Sequence, residues 1–345
     1  MEFIERESKG VVQNAADALQ KSIIRGIASN NRDMVIVNLP YVGSYPRLFN
    51  KAVFPSTIDS IYGVALYGQE FPLYRFVKSI FRLKNALRGL RSVSEENLPS
   101  ITNRRPVVLV YAAHLPFMLA AIAYRGFRRK AAVCLIMPDL PQFMAEGGRL
   151  YRAAKAVETA IFNRLTKHID YFVVLTKAMA EKLELPEHKY VVVEGVANEF
   201  AAPALTSTAS AKRVFMYAGT LAGRYGIVDL LTAFQKVSTP SAELWICGEG
   251  DSRDKVEAAA RADHRIKFLG QLPRDEVLKL QFQASVLVNP RGPGGEFTKY
   301  SFPSKTMEYM ASGRTVLMHR LPGIPEEYHQ YFVSPEDPWW SPLAT

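Results

Sequence analysis

The sequence predicts an α/β protein built as two Rossmann-like, doubly wound domains facing each other across a cleft. Short apolar runs alternate with helical patterns along most of the 345 residues, as a parallel sheet covered by helices requires. Nearly every run ends on Gly, Pro, Thr or His, and ligands bind at that carboxyl edge in open parallel sheets. The length exceeds one typical domain and suits two. With 48% hydrophobic and 22% charged residues, there is apolar material for two cores.

In the first half the strand candidates are MVIVNLP at 34–40, VVLVYAA at 107–113, AAVCLIM at 131–137, YFVVLT at 171–176 and YVVVEG at 190–195. In the second half they are VFMYAG at 214–219, ELWICG at 243–248, IKFLG at 266–270, SVLVNP at 285–290 and TVLMH at 315–319. Between the halves NEFAAPALTSTASAK, 198–212, is rich in Ala, Ser and Thr without periodicity and reads as a linker. The expected division is a first domain over 1–198, a linker over 199–212 and a second domain over 213–345.

A net charge of +10 favours an anionic partner, whether a nucleotide diphosphate, an acidic membrane surface or nucleic acid. Recognised nucleic-acid-binding motifs are missing, which argues against the last. Cys134 and Cys247 fall in apolar strand runs, so neither a disulfide framework nor a zinc site is expected. The polar start MEFIERES carries no visible signal peptide. The apolar stretch 107–124 is interrupted by His114 and Pro116 and reads as strand, turn and helix rather than a membrane span. A cytoplasmic location, with peripheral attachment to the inner face of the plasma membrane as an option, is the expectation.

The stretch GPGGEFTKYSFPSKTMEYMASG, 292–313, is the most informative. It predicts a glycine-rich loop, then a helix opening near Pro303 and Ser304 and closing at Gly313, punctuated by proline at its start and glycine past its end. A helix amino end offers unpaired N–H groups and partial positive charge to a phosphate. Lys305 sits in the first turn, where a cation disfavours the helix unless an anion joins it. Glu308, one turn on, is placed to accept hydrogen bonds from a sugar hydroxyl. The alternative is a capped helix with a solvated Lys and Glu.

YSFPSKTMEYMASG, together with YAGTLAGRYGIVDLL at 217–231 and LWICGEGD at 244–251, resembles the donor domain of family 4 retaining glycosyltransferases of the GT-B fold, of the bacterial capsular and extracellular polysaccharide type. The first half is similar more weakly, through NLPYVGSYP, AAHLPF and MPDLPQF. The resemblance implies transfer of a sugar from a UDP- or GDP-linked donor to a glycan or lipid-linked acceptor. It implies donor-binding positions at Gly219, Thr220, Gly248, Tyr300, Ser304 and Glu308 and a catalytic position at His114; Gly43 as donor-binding, Asp139 as catalytic, and Arg224 and Lys305 as both are read from their own places in the chain. Glu308 matches the second of the family's two helix glutamates, the one holding the ribose; the first falls on Tyr300. The family's arginine and lysine that clamp the diphosphate fall on Thr220 and Tyr225, leaving Arg224 and Lys305 as nearby cations. Such cations stabilise the charge building on the leaving phosphate. No Asp-x-Asp motif occurs, and no metal or other cofactor is expected.

Some assignments keep two readings. Gly43 either lets backbone N–H groups approach a phosphate or serves an ordinary βα turn. His114 resembles a cleft-lining histidine of the family or is structural. Asp139 binds acceptor or acts as general base, or caps the next helix. Glu194 and Gly195 resemble a feature next to the family's hinge. RFVKSIFRLKNALRGLR, 75–91, predicts a helix with Phe76, Ile80, Leu83, Leu87 and Leu90 on one face and Arg and Lys on the other. It suits an anionic membrane surface or simply covers its own sheet. The resemblance leads one to expect further helices after GIPEEY at 323–328, whereas HQYFVSPEDPWWSPLAT at 329–345 follows, so the second domain reads as short at its C-terminus. A non-catalytic membrane-associated assembly component and a sugar-nucleotide epimerase on the same fold remain as alternatives.

Overall fold

A computed structural model describes residues 2–9, 14–30, 34–40, 42–75, 77–96, 106–127, 131–143, 148–196 and 213–336. The chain forms two compact units, Met1–Glu194 and Gly195–Thr345. The linker expected over 199–212 lies outside the described residues, as does the tail 337–345.

The first unit comprises α1 (Glu2–Glu7), α2 (Asn14–Ser29), β1 (Val35–Asn38), β2 (Val53–Phe54), β3 (Thr57–Ile61), β4 (Val64–Gly68), β5 (Phe71–Pro72), α3 (Lys78–Glu96), β6 (Val107–Tyr111), α4 (Leu115–Phe127), β7 (Ala132–Met137), α5 (Arg149–Thr166), β8 (Tyr171–Val174), α6 (Lys177–Lys182) and β9 (Tyr190–Val192). Strands β6-β7-β8-β9 form a parallel sheet in that order. All six residues of β7 are buried, which is why AAVCLIM reads as an unbroken apolar run. The stretch 107–124 is strand, turn and helix, as its His and Pro predict. Asp170, just before β8, accepts from Val133 N at 2.9 Å and Arg125 Nη1 at 3.1 Å, tying α4 and the turn before β8 to the start of β7.

Strand β1 does not join that sheet. It pairs in parallel with β4, Val35 opposite Ala65, in a separate sheet of order β1-β4-β3 whose outer pair is antiparallel. The β3–β4 hairpin turns on Tyr62 and Gly63, with φ of 52° and 77°, and positive φ at both turn positions matches the strand twist. Four of the five residues of β3 are exposed, so TIDSI lacks the alternation by which a half-buried strand is recognised.

Helix α3 corrects the face expected for 75–91. Ile80 is 68% exposed and Phe81 37%, whereas Arg82 is 1% exposed; Phe76 lies outside the described residues. Leu83, Leu87 and Leu90 do pack on the core of β1, β2 and β5. The rotation follows from carbonyl groups that need donors. Arg82 Nη2 donates to Pro40 O at 2.9 Å and its guanidinium lies 5.4 Å from the Phe71 ring centre. Asn85 donates to Glu70 O. Helix α3 thus buries Arg82 and Asn85, each donating to a backbone carbonyl, and leaves Ile80 outside.

The second unit runs β10 (Arg213–Ala218), α7 (Ile227–Gln235), β11 (Ala242–Cys247), α8 (Arg253–Ala262), β12 (Ile266–Gly270), α9 (Arg274–Gln283), β13 (Val286–Asn289), α10 (Ser304–Ala311) and β14 (Thr315–Met318). Its sheet is parallel throughout, of order β12-β11-β10-β13-β14. Right-handed crossovers then set α7 and α8 on one face and α9 and α10 on the other. The direction of winding reverses between β10 and β13, the switch point where a crevice opens at the carboxyl edge. The core on the α7–α8 side includes Leu221, Ile227, Leu231, Leu244, Ile246 and Val256, each worth about 1.5–3 kcal/mol of burial. Cys134 and Cys247 are buried free thiols, and burial pushes both up to about 11. Among the described residues no helix is long and apolar enough to cross a membrane.

Candidate functional site at the carboxyl edge of the second sheet

Strands β10 and β13 pair only at Phe215–Val286 and Met216–Leu287. Beyond that the Tyr309 hydroxyl accepts from Ala218 N at 2.9 Å and donates to Ala218 O at 3.3 Å. A side chain from α10 thus satisfies backbone groups at the end of β10, just before the switch-point loops. Tyr309 is 1% exposed, so α10 is fixed to β10 from within the core. Thr306, also buried, accepts from Asn289 Nδ2 at 3.3 Å, joining α10 to the end of β13.

The loops after β10 and β11 touch backbone to backbone. Leu221 N donates to Glu249 O at 2.9 Å and Ser252 N to Leu221 O at 2.8 Å. Gly248 has φ +142°, and a Cβ there would stand 1.8 Å from Gly219 O. Gly226 has φ +81°, and a Cβ there would stand 2.0 Å from Pro290 O, so the β10 loop also abuts the β13 loop. Only glycine permits these approaches. Thr220 is exposed, its carbonyl accepting from Tyr217 Oη at 2.8 Å.

Helix α10 opens at Ser304 after buried Phe302 and Pro303 and is followed by Gly313 at φ +70°, as the sequence predicts. Ser304 is exposed and Lys305 half-buried. Glu308 is 8% exposed. Its Oε1 accepts from Gln281 Nε2 at 2.7 Å and Lys305 Nζ at 2.9 Å, and its Oε2 faces Arg274 Nη2 at 3.0 Å. Burial pushes this carboxyl up, but Lys305, Gln281 and Arg274 outweigh it and hold the group below the usual carboxylate value. Lys305 therefore meets its negative partner within the helix, and Glu308 is a buried, ionised acceptor. Gln281 and Arg274, seven residues apart on one face of α9, were not among the sequence candidates; that spacing was their only signal.

A second cluster stands between the β10 and β13 loops. The Arg224 guanidinium lies 4.9 Å from the Tyr225 ring centre and its Nη2 donates to Tyr225 Oη at 3.0 Å. The Arg291 guanidinium lies 4.4 Å from the same ring and 5.6 Å from that of Phe297, with Nη1 donating to Ser301 Oγ at 3.3 Å. Arg291 also escaped the sequence reading, although it follows Asn-Pro at the end of a strand. Tyr300 ends a short 3-10 turn, Glu296–Tyr300, and donates to Glu296 Oε1 at 3.1 Å.

In the first unit Gly43 is held by close packing, since a Cβ there would stand 2.3 Å from Leu48 Cβ. His114 follows β6, its ring 4.7 Å from that of Phe117 at an edge-on angle. Burial first, then Arg82 and Lys78, push it down to about 4, so it is neutral at pH 7. Asp139 is exposed in the turn after β7. Its charge adds to burial in pushing the Tyr111 hydroxyl up. Among the described residues no group of three or more His, Cys, Asp or Glu is placed to hold a metal ion.

Residues 212–339 match the family model described as glycosyl transferases group 1. No curated protein matches the chain in sequence. Among solved structures, the lipopolysaccharide outer core galactosyltransferase WaaB is similar with a TM-score of 0.52 and 16% identity, over 78% of this chain and 70% of that one. HepE of Anabaena, in complex with UDP, is similar with a TM-score of 0.54 and 11% identity, over 82% and 76%. Sucrose-phosphate synthase of Thermosynechococcus elongatus is similar with a TM-score of 0.58 and 14% identity, over 98% and 83%. The chain thus has two Rossmann-like units of the kind found in the GT-B fold, and its second unit carries the sequence pattern of a glycosyltransferase group.

Proposed function

We propose that this chain is a glycosyltransferase moving a sugar from a UDP- or GDP-linked donor to a glycan or lipid-linked acceptor, with retention, in surface polysaccharide synthesis. The observation that carries the reading is Glu308. A carboxylate offers about four lone-pair sites, and Gln281, Lys305 and Arg274 engage three, leaving one to accept from a ribose hydroxyl. The backbone around Gly219, Thr220 and Gly248, the amino end of α10 at Ser304, and Arg224 and Lys305 receive the diphosphate. Tyr300 flanks the donor sugar, and Gly43 lets backbone N–H groups approach a phosphate.

In the reaction the bond from the anomeric carbon to the phosphate oxygen breaks, and its electron pair leaves with the diphosphate. The acceptor hydroxyl oxygen bonds that carbon on the face being vacated, and its proton passes to the departing phosphate oxygen. Positive groups fixed beforehand stabilise the charge that develops on that oxygen. His114, neutral at pH 7, is a hydrogen-bonding group for the transferring sugar, and Asp139 orients the acceptor. The outward side of α3 supports membrane docking. Ile80 and Phe81 are exposed there, with Val77, Lys84, Arg88 and Arg91 on the same exposed side.

Calorimetry with UDP and GDP on wild type and Glu308→Ala tests the donor site. Loss of hydrogen bonds to a charged group predicts at least roughly tenfold weaker binding of the accepted nucleotide. Equal affinity would remove Glu308 from the site.

A further inference from the structure

We infer that Arg291 is a further cation that takes up the leaving diphosphate, with Tyr225 as the plate that aligns it beside Arg224. The inference rests on the nucleotide-sugar reading above and supplies the charge that the donor loop lacks at Thr220 and Tyr225.

Arg291 is the second residue after β13, and Arg224 lies in the turn after β10. The two therefore come from opposite sides of the switch point, where an anionic ligand of a doubly wound sheet is seated. Their separation is set by backbone contact, because Gly226 and Pro290 abut so closely that a Cβ would stand 2.0 Å from the Pro290 oxygen.

Both guanidiniums lie against one tyrosine ring, at 4.9 and 4.4 Å from its centre. Two cations brought to one ring repel each other. The ring's negative face offsets part of that cost, and a bound dianion between or beside them offsets the rest. Arg291 is further oriented by its Nη1 bond to Ser301 Oγ at 3.3 Å and by the Phe297 ring, so little freedom is lost when it meets a ligand. A planar guanidinium fits paired phosphate oxygens in a way an ammonium does not. Tyr225 thus gains a physical reason to replace a cation, since its ring holds two others in position.

The test is calorimetry of the full chain with UDP and uridine, and with GDP and guanosine, on wild type, Arg291→Gln, Arg291→Lys and Tyr225→Leu, each checked for an unchanged melting temperature. Arg291→Gln should weaken the diphosphate nucleotide roughly tenfold or more while leaving the nucleoside unchanged. Arg291→Lys should recover only part of the loss. Tyr225→Leu should weaken the diphosphate nucleotide although no charge is removed.

Diphosphate affinity within twofold of wild type for a folded Arg291→Gln overturns the inference. So does a parallel loss for the nucleoside, which would place Arg291 at the base or ribose. If Glu308→Ala weakens the nucleotide and Arg291→Gln does not, this inference alone fails. If wild type binds neither UDP nor GDP, the parent reading fails and this inference with it.

Discussion

Replacing Tyr309 with phenylalanine removes one oxygen atom from the interior of the second unit and leaves the ring in place. That oxygen accepts from Ala218 N at 2.9 Å and donates to Ala218 O at 3.3 Å, where the β10–β13 pairing has already stopped. Tyr309 is 1% exposed and Ala218 2%, so water has no easy access to the orphaned groups. An unsatisfied buried N–H costs about 1–3 kcal/mol; the longer bond to the carbonyl adds less. The expected loss is about 2 kcal/mol, with a melting temperature lower by about 4–8 °C for a unit of this size. Urea unfolding followed by tryptophan fluorescence isolates the effect, because Trp245 lies on β11 of the second unit and residues 1–194 contain no tryptophan. An unchanged m-value with a lower midpoint would mark a change in stability alone. Because the same oxygen fixes the carboxyl half of α10, the half that carries Glu308, against β10, nucleotide affinity should fall as well. A stability within about 0.5 kcal/mol of wild type, the range of neutral surface changes, would refute the claim that this hydroxyl replaces a missing rung of the sheet.

Gly248→Ala should cost about 2 kcal/mol or more, since a residue at φ +142° is strained and its Cβ would stand 1.8 Å from Gly219 O. Gly270→Ala, also at positive φ but facing open space, should cost about 1 kcal/mol; equal melting temperatures for the two variants would contradict the backbone-contact account. Replacing Lys84, Arg88 and Arg91 of α3 with glutamine should release the protein from vesicles containing anionic lipid, with the wild type itself released by raised salt. Unchanged flotation of the triple variant excludes α3 as the docking surface.

The placement of Lys305 and Glu308 in the first turns of a helix was legible in the sequence because a helix start is a local event, written in Phe302, Pro303, Ser304 and Gly313. Arg274, Gln281 and Arg291 were not, because their relevance depends on which elements the fold brings beside α10 and the β10 loop. Arg82 makes the same point from the other direction. An arginine in an amphipathic pattern reads as solvent-facing, yet the carbonyl of Pro40, 42 residues away in sequence, draws it inside. Gly248 reads in the sequence as a donor-binding position and Gly226 carries no assignment; the neighbouring loops alone define how little room either has.

The strands of the two larger parallel sheets, the two-unit α/β class and the helix at 304–311 follow from periodicity and punctuation, which act over a few residues and are therefore written in the chain itself; β2 to β5 do not. The separate β1-β4-β3 sheet, the facing of α3, and the company that Glu308 and Tyr225 keep depend on contacts between distant segments. Such contacts are governed by burial and by the need to satisfy each buried polar group, and those demands exist only once the segments have been brought together.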